Sequence, residues 1–99
     1  MIEQRPSAIT RLFDEMVSTS RRTGKFSRRT LRGGARLCVL ATTDTILLVI
    51  WCQHVKPGEK DVETFRRDCR VPPSASVDRG TQPNDPTWFY VRYRWQDLP

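Results

Sequence analysis

"ARLCVLATTDTILLVIWCQ", residues 35–53, decides the fold. Two runs rich in Val, Ile, Leu and Trp flank the polar Thr42-Thr43-Asp44-Thr45, a pattern that predicts a β-hairpin over 36–53 turning near Thr43 and Asp44. A two-residue turn sets Ala41 opposite Ile46, Val39 opposite Leu48 and Leu37 opposite Ile50 on one face. Cys38, Leu40, Leu47, Val49 and Trp51 then occupy the other. Both faces are apolar, and burying one such side chain is worth about 1.5 to 3 kcal/mol, so each face calls for a cover. Either two helices lie on opposite faces, or both lie on one and a second copy or a protein partner meets the other. The stretch does not read as a membrane span. Its uninterrupted apolar core, 46–52, is only seven residues, and Asp44 beside it would cost about 2.5 to 3.5 kcal/mol in lipid.

Before the hairpin, Ser7 can cap a helix over 7–20 whose apolar positions Ile9, Leu12, Phe13, Met16 and Val17 fall at helical spacing. Residues 21–36 form either a basic connector or a short helix near 27–32 closed by Gly33 and Gly34. After the hairpin, Pro57 and Gly58 precede a helix over 60–69 with Val62, Phe65 and Cys69 on one stripe. Residues 71–86 carry turn formers without an apolar period and read as a long loop. The last element, 87–95, is a strand with Phe89, Val91, Tyr93 and Trp95 on one face and Trp88, Tyr90, Arg92 and Arg94 on the other. If the helix over 60–69 crosses back in the usual right-handed sense, that strand runs parallel to the second and sits beside the first. The expectation is one small α+β domain, α-β-β-α-β, with a three-stranded, mainly antiparallel sheet in the order 2-1-3. A chain of 99 residues supports one core of this size.

Charge carries the functional argument. Residues 1–36 hold nine Lys and Arg against three acids, whereas 37–99 hold eight of each sign, so the whole net charge of +6 belongs to the N-terminal third. Most of it lies in "SRRTGKFSRRTLRGGAR", residues 20–36: Arg21, Arg22, Lys25, Arg28, Arg29, Arg32 and Arg36 with no carboxylate. A basic excess kept in one place points to a polyanion. Arg at six of seven positions supplies planar forks for phosphate, Ser20, Thr23, Ser27 and Thr30 add hydroxyl donors, and the glycines permit close backbone approach. The plain alternative is a solvated connector whose arginines pair with Glu59, Asp61, Glu63 and Asp68. Trp88, Tyr90, Arg92 and Arg94 form a secondary candidate, since alternating aromatic and Arg residues can stack bases while neutralising phosphates. Its alternative is an edge strand whose arginines prevent edge-to-edge aggregation and whose aromatics pack under the N-terminal helix.

The leading expectation is a non-catalytic DNA- or RNA-binding module that uses phosphate contacts and no cofactor or metal. Five to seven contacts would give a log-log salt slope of about −4.5 to −6 on duplex DNA. A small adaptor or inhibitor docking through the apolar sheet face, or a homodimer, is the first alternative. A small basic endoribonuclease of toxin type, with His54, Arg92 and Tyr93 as acid/base and phosphate-stabilising candidates, is the second. Zinc is disfavoured because Cys38, Cys52, His54 and Cys69 include no C-x₂-C pair. "RRTGKFS" lacks the spacing of a phosphate-binding loop, and no nucleophile motif accompanies the single histidine. The polar start MIEQRPSAIT and three irregularly spaced cysteines predict a cytoplasmic chain in a reducing compartment.

Overall fold

The computed structural model describes residues 7–97 of the chain; residues 1–6, most of the polar start on which the cytoplasmic expectation rests, lie outside them. The elements run α1 (Ala8–Thr23), β1 (Ser27–Thr30), β2 (Arg36–Ala41), β3 (Thr45–Gln53), α2 (Glu59–Asp68), β4 (Ser76–Gln82) and β5 (Asp85–Gln96). The sheet has five strands in the order β1-β2-β3-β5-β4, every neighbouring pair antiparallel. No helix among the described residues is long and apolar enough to cross a membrane.

The hairpin at the centre pairs as its turn dictates: Ala41 faces Ile46, Val39 faces Leu48 and Leu37 faces Ile50. Thr42 donates its N–H to the Thr45 carbonyl (2.9 Å), and the two hydroxyls meet at 2.6 Å, which closes the turn around Thr43 and Asp44. Along β5, buried Val91, Tyr93 and Trp95 alternate with exposed Arg92, Arg94 and Gln96.

The expected three-stranded sheet in the order 2-1-3 is wrong in three places, each with a physical cause. First, the short helix near 27–32 is the strand β1, which pairs Ser27 with Val39 and Arg29 with Leu37. Its sequence, SRRT, has no apolar period because β1 is an edge, where charged side chains discourage further pairing. Second, the loop over 71–86 contains β4, another polar edge strand, joined to β5 by a two-residue turn at Pro83 and Asn84. Third, the last strand lies antiparallel beside β3, not parallel beside β2. The helical crossover instead joins β3 to β4, which run in the same direction, and β5 returns through the strand position left between them.

Both helices cover one face, here called inner. Leu37, Val39, Ala41, Ile46, Leu48, Ile50, Val91, Tyr93 and Trp95 are buried there with Phe13 and Met16 of α1, Val62 of α2, and Cys69 and Val71 beyond it. The Phe13 and Trp95 rings lie 6.1 Å apart, and the Tyr93 hydroxyl donates to the Val62 carbonyl at 2.8 Å. The helices are tied to each other as well: the Thr10 hydroxyl donates to the Asp68 carbonyl at 2.6 Å, and Arg70 pairs with Asp14 at 3.0 Å. Ser7 caps α1 by accepting the Thr10 N–H.

The α1 helix runs three residues past Ser20, ending at Gly24 in the left-handed region (φ +72°). A mid-helix serine ordinarily favours a cap, but the fully buried Ser20 hydroxyl is engaged outside the helix. It accepts the Ala41 N–H at 2.8 Å and donates to the Lys25 carbonyl at 2.7 Å. One hydroxyl thus joins the helix to β2 and to the segment entering β1.

Candidate functional site

With both helices on the inner face, the outer face is left uncovered among the described residues. The strand register arranges it in rows about 6.6 Å apart, two residues along each strand. One row crosses all five strands as Thr30, Arg36, Trp51, Tyr90 and Gly80. The next is Arg28, Cys38, Val49, Arg92 and Asp78, and the third contains Leu40, Leu47, Arg94 and Ser76. At the opposite end Gln53 pairs with Trp88. The face therefore has an aromatic end, a half-buried apolar centre of Cys38, Leu40, Leu47 and Val49, and arginines on both flanks. Four guanidiniums stand in these rows against one carboxylate, Asp78.

Side-chain geometry knits the aromatic end to the charges. The Trp51 and Tyr90 ring centroids lie 5.3 Å apart with a 56° tilt. The Arg36 guanidinium sits 4.5 Å over the Trp88 ring, and that of Arg92 lies 5.6 Å from the Tyr90 centroid. Arg92 also donates to the Asp78 carboxylate through Nε at 2.9 Å and through Nη2, and this hydrogen bonding raises the guanidinium pKa further. Arg28 lies 5.6 Å from the exposed Phe26 ring. Burial pushes the neighbouring Cys38 thiol up, with Arg28 opposing, so this cysteine stays a neutral apolar member of the surface. Glycine at position 80 lets the Tyr90 ring lie over β4, because a Cβ there would lie 2.7 Å from the Tyr90 hydroxyl oxygen and push the ring aside.

The basic run is divided by the fold. Arg28 and Arg36 reach the outer face and join Trp88, Tyr90, Arg92 and Arg94. Arg21 is occupied structurally, donating to the Thr42 carbonyl at 2.8 Å and pairing with Asp97 at 2.9 Å. Arg22 and Arg29 lie on the α1 side, lining a shallow depression with Glu15 and Ser27. Lys25 follows the α1 cap and Arg32 opens the turn with Gly33 and Gly34, both exposed. Two of the hydroxyls expected to meet phosphate are engaged internally: Ser20 as above, and Thr23, which donates to the Thr19 carbonyl. The acids of α2 do not neutralise the run. Glu59 pairs with Arg79, Glu63 with Arg66 and Asp68 with Arg67, while Asp61 accepts the Gly58 N–H.

The other candidates do not assemble. Arg92 is on the outer face, whereas Tyr93 is buried on the inner face with burial raising its pKa to about 12, and His54 is exposed beyond the end of β3. These three cannot serve one ribonuclease site. Cys38 faces outward and Cys69 is buried beyond α2 with its thiol pushed up to about 12, mainly by burial. No group of three or more potential metal ligands is gathered among the described residues.

Trp51 is the functional candidate that the sequence pattern alone passes over. With the last strand placed beside β2, nothing brings Trp51 to Tyr90; the antiparallel pairing of β5 with β3 does. Comparison of the chain with protein-family models, curated proteins and solved structures gave no match.

Proposed function

We propose that this chain is a non-catalytic nucleic-acid-binding module and that the uncovered sheet face is its interface. The observation that carries the reading is the convergence on one face of Arg28, Arg36, Arg92 and Arg94 with Trp51, Trp88 and Tyr90, against a single carboxylate. Arginine offers bidentate contacts to phosphate, and the aromatic rings supply apolar area that a simple counter-ion surface does not need. Self-association through this face is disfavoured, because a second copy would bring four more guanidiniums into the interface with only one more carboxylate.

The division of the run changes the expected electrostatics. Three to four phosphate contacts replace five to seven, which gives a log-log salt slope of about −2 to −3 on a single strand. A binding titration at several salt concentrations tests this. The slope should become shallower in Arg28→Ala plus Arg36→Ala and remain unchanged in Arg21→Ala. Absence of binding at low salt would refute the reading.

The apolar centre of Cys38, Leu40, Leu47 and Val49 favours a second reading, an acidic protein partner docked within the arginine rim. Under it, Leu47→Ser abolishes capture of that partner, and the protein shows no affinity for oligonucleotides.

A further inference from the structure

The two halves of the outer face make different demands on a ligand. A duplex presents phosphates and groove edges outward and keeps the faces of its bases stacked inside. Laid on this sheet, it would satisfy the arginines but leave Trp51, Tyr90 and the apolar centre against charged phosphate and water. A strand with unpaired bases can turn phosphates toward the flanks and bases toward the rings. Resting on the nucleic-acid reading above, we infer that the ligand is single-stranded nucleic acid whose bases stack on the Trp51, Tyr90 and Trp88 surface.

Three features of the geometry support this. The rings are contiguous, since Trp51 and Tyr90 are paired neighbours 5.3 Å apart and Trp88 is one row further along β5. Such a surface seats about two to three bases. Arg36 and Arg92 lie over Trp88 and Tyr90, so a base takes the place of a guanidinium on its ring, with Arg36 swinging toward a phosphate and Arg92 held beside the ring by Asp78. Gly80 keeps the space over β4 open for the Tyr90 ring.

Fluorescence anisotropy provides the test, with labelled mixed-sequence single-stranded DNA and RNA of about 12 nucleotides, the matching DNA duplex, and inorganic polyphosphate as a competitor without bases. At least one single strand should bind more than about tenfold tighter than the duplex. Tyr90→Ala should weaken single-strand binding about 5- to 150-fold while changing duplex binding and polyphosphate competition by less than about twofold. Tyr90→Phe should retain the wild-type value, and Trp88→Ala gives a second aromatic deletion if Tyr90→Ala does not fold. The DNA and RNA arms identify which single strand is preferred, and either preference supports the inference. Equal affinity for single strand and duplex, with Tyr90→Ala harmless, would overturn it while leaving the nucleic-acid reading standing. Failure of every oligonucleotide to bind at low salt would remove both.

Discussion

Replacing Ser20 by alanine should destabilise the protein more than any other single-atom deletion in α1. The Ser20 side chain is fully buried, and its oxygen both accepts the Ala41 N–H at 2.8 Å and donates to the Lys25 carbonyl at 2.7 Å. Loss of the oxygen leaves a buried backbone donor without a partner, which costs about 1 to 3 kcal/mol, and removes a second bond of smaller net value. Alanine recovers a few tenths of a kcal/mol through its better helix propensity. The net loss is about 2 kcal/mol, which for a domain of this size lowers Tm by about 8 to 16 °C. Thermal unfolding followed by circular dichroism measures it, with Ser18→Ala on the exposed side of the same helix as the reference, expected within about 0.5 kcal/mol of wild type. If the two variants melt together, the hydroxyl does not join α1 to the sheet, and the reason given for the helix passing through Ser20 fails.

Gly24→Ala should cost about 1 kcal/mol by chemical denaturation, because the cap lies at φ +72° with open space around it, so the penalty is purely conformational. Arg28→Ala plus Arg36→Ala should reduce the magnitude of the salt slope by about 1.4 on a single strand, whereas Arg21→Ala should lower Tm slightly and leave the slope alone. Burial raises the folded-state pKa of Tyr93 from 10.0 to about 12, so its contribution is intact below pH 10 and is lost as pH rises toward 12. Alkaline unfolding curves should therefore fall more steeply over that window in wild type than in Tyr93→Phe, which itself loses about 1 kcal/mol at neutral pH with the bond to the Val62 carbonyl.

The centre of the sheet was legible because its pattern is self-contained. The pairing of Leu37 with Ile50 and of Val39 with Leu48 follows from one polar turn and a period of two, and the division of β5 into a buried and an exposed face follows from alternation. The edges were illegible for the opposite reason. SRRT and SVDRGTQ bury little, so neither shows an apolar period, and arginine and glycine there imitate connector and loop. A weaker signal did exist in β4: Val77 and Thr81 alternate with small or charged residues, and Pro83-Asn84 stands immediately before the aromatic strand. Missing β4 also misplaced β5, which separated Trp51 from Tyr90 and hid the aromatic end of the outer face. The basic run was conspicuous as composition, but composition could not divide it. A hydrogen bond to Thr42 and an ion pair with Asp97 remove Arg21 from the surface charge available to a ligand, while strand alternation sends Arg28 outward and Arg29 toward α1.

The most direct test uses the three tryptophans as position markers. Trp51 and Trp88 lie on the outer face, and Trp95 is 7% exposed on the inner one. Their indole N–H resonances can be followed in a two-dimensional NMR titration with a single-stranded oligonucleotide. The Trp51 and Trp88 signals should shift with the saturation of binding while Trp95 stays in place. A saturable complex in which neither Trp51 nor Trp88 moves would put the interface elsewhere, and the uncovered sheet face would lose its assigned role.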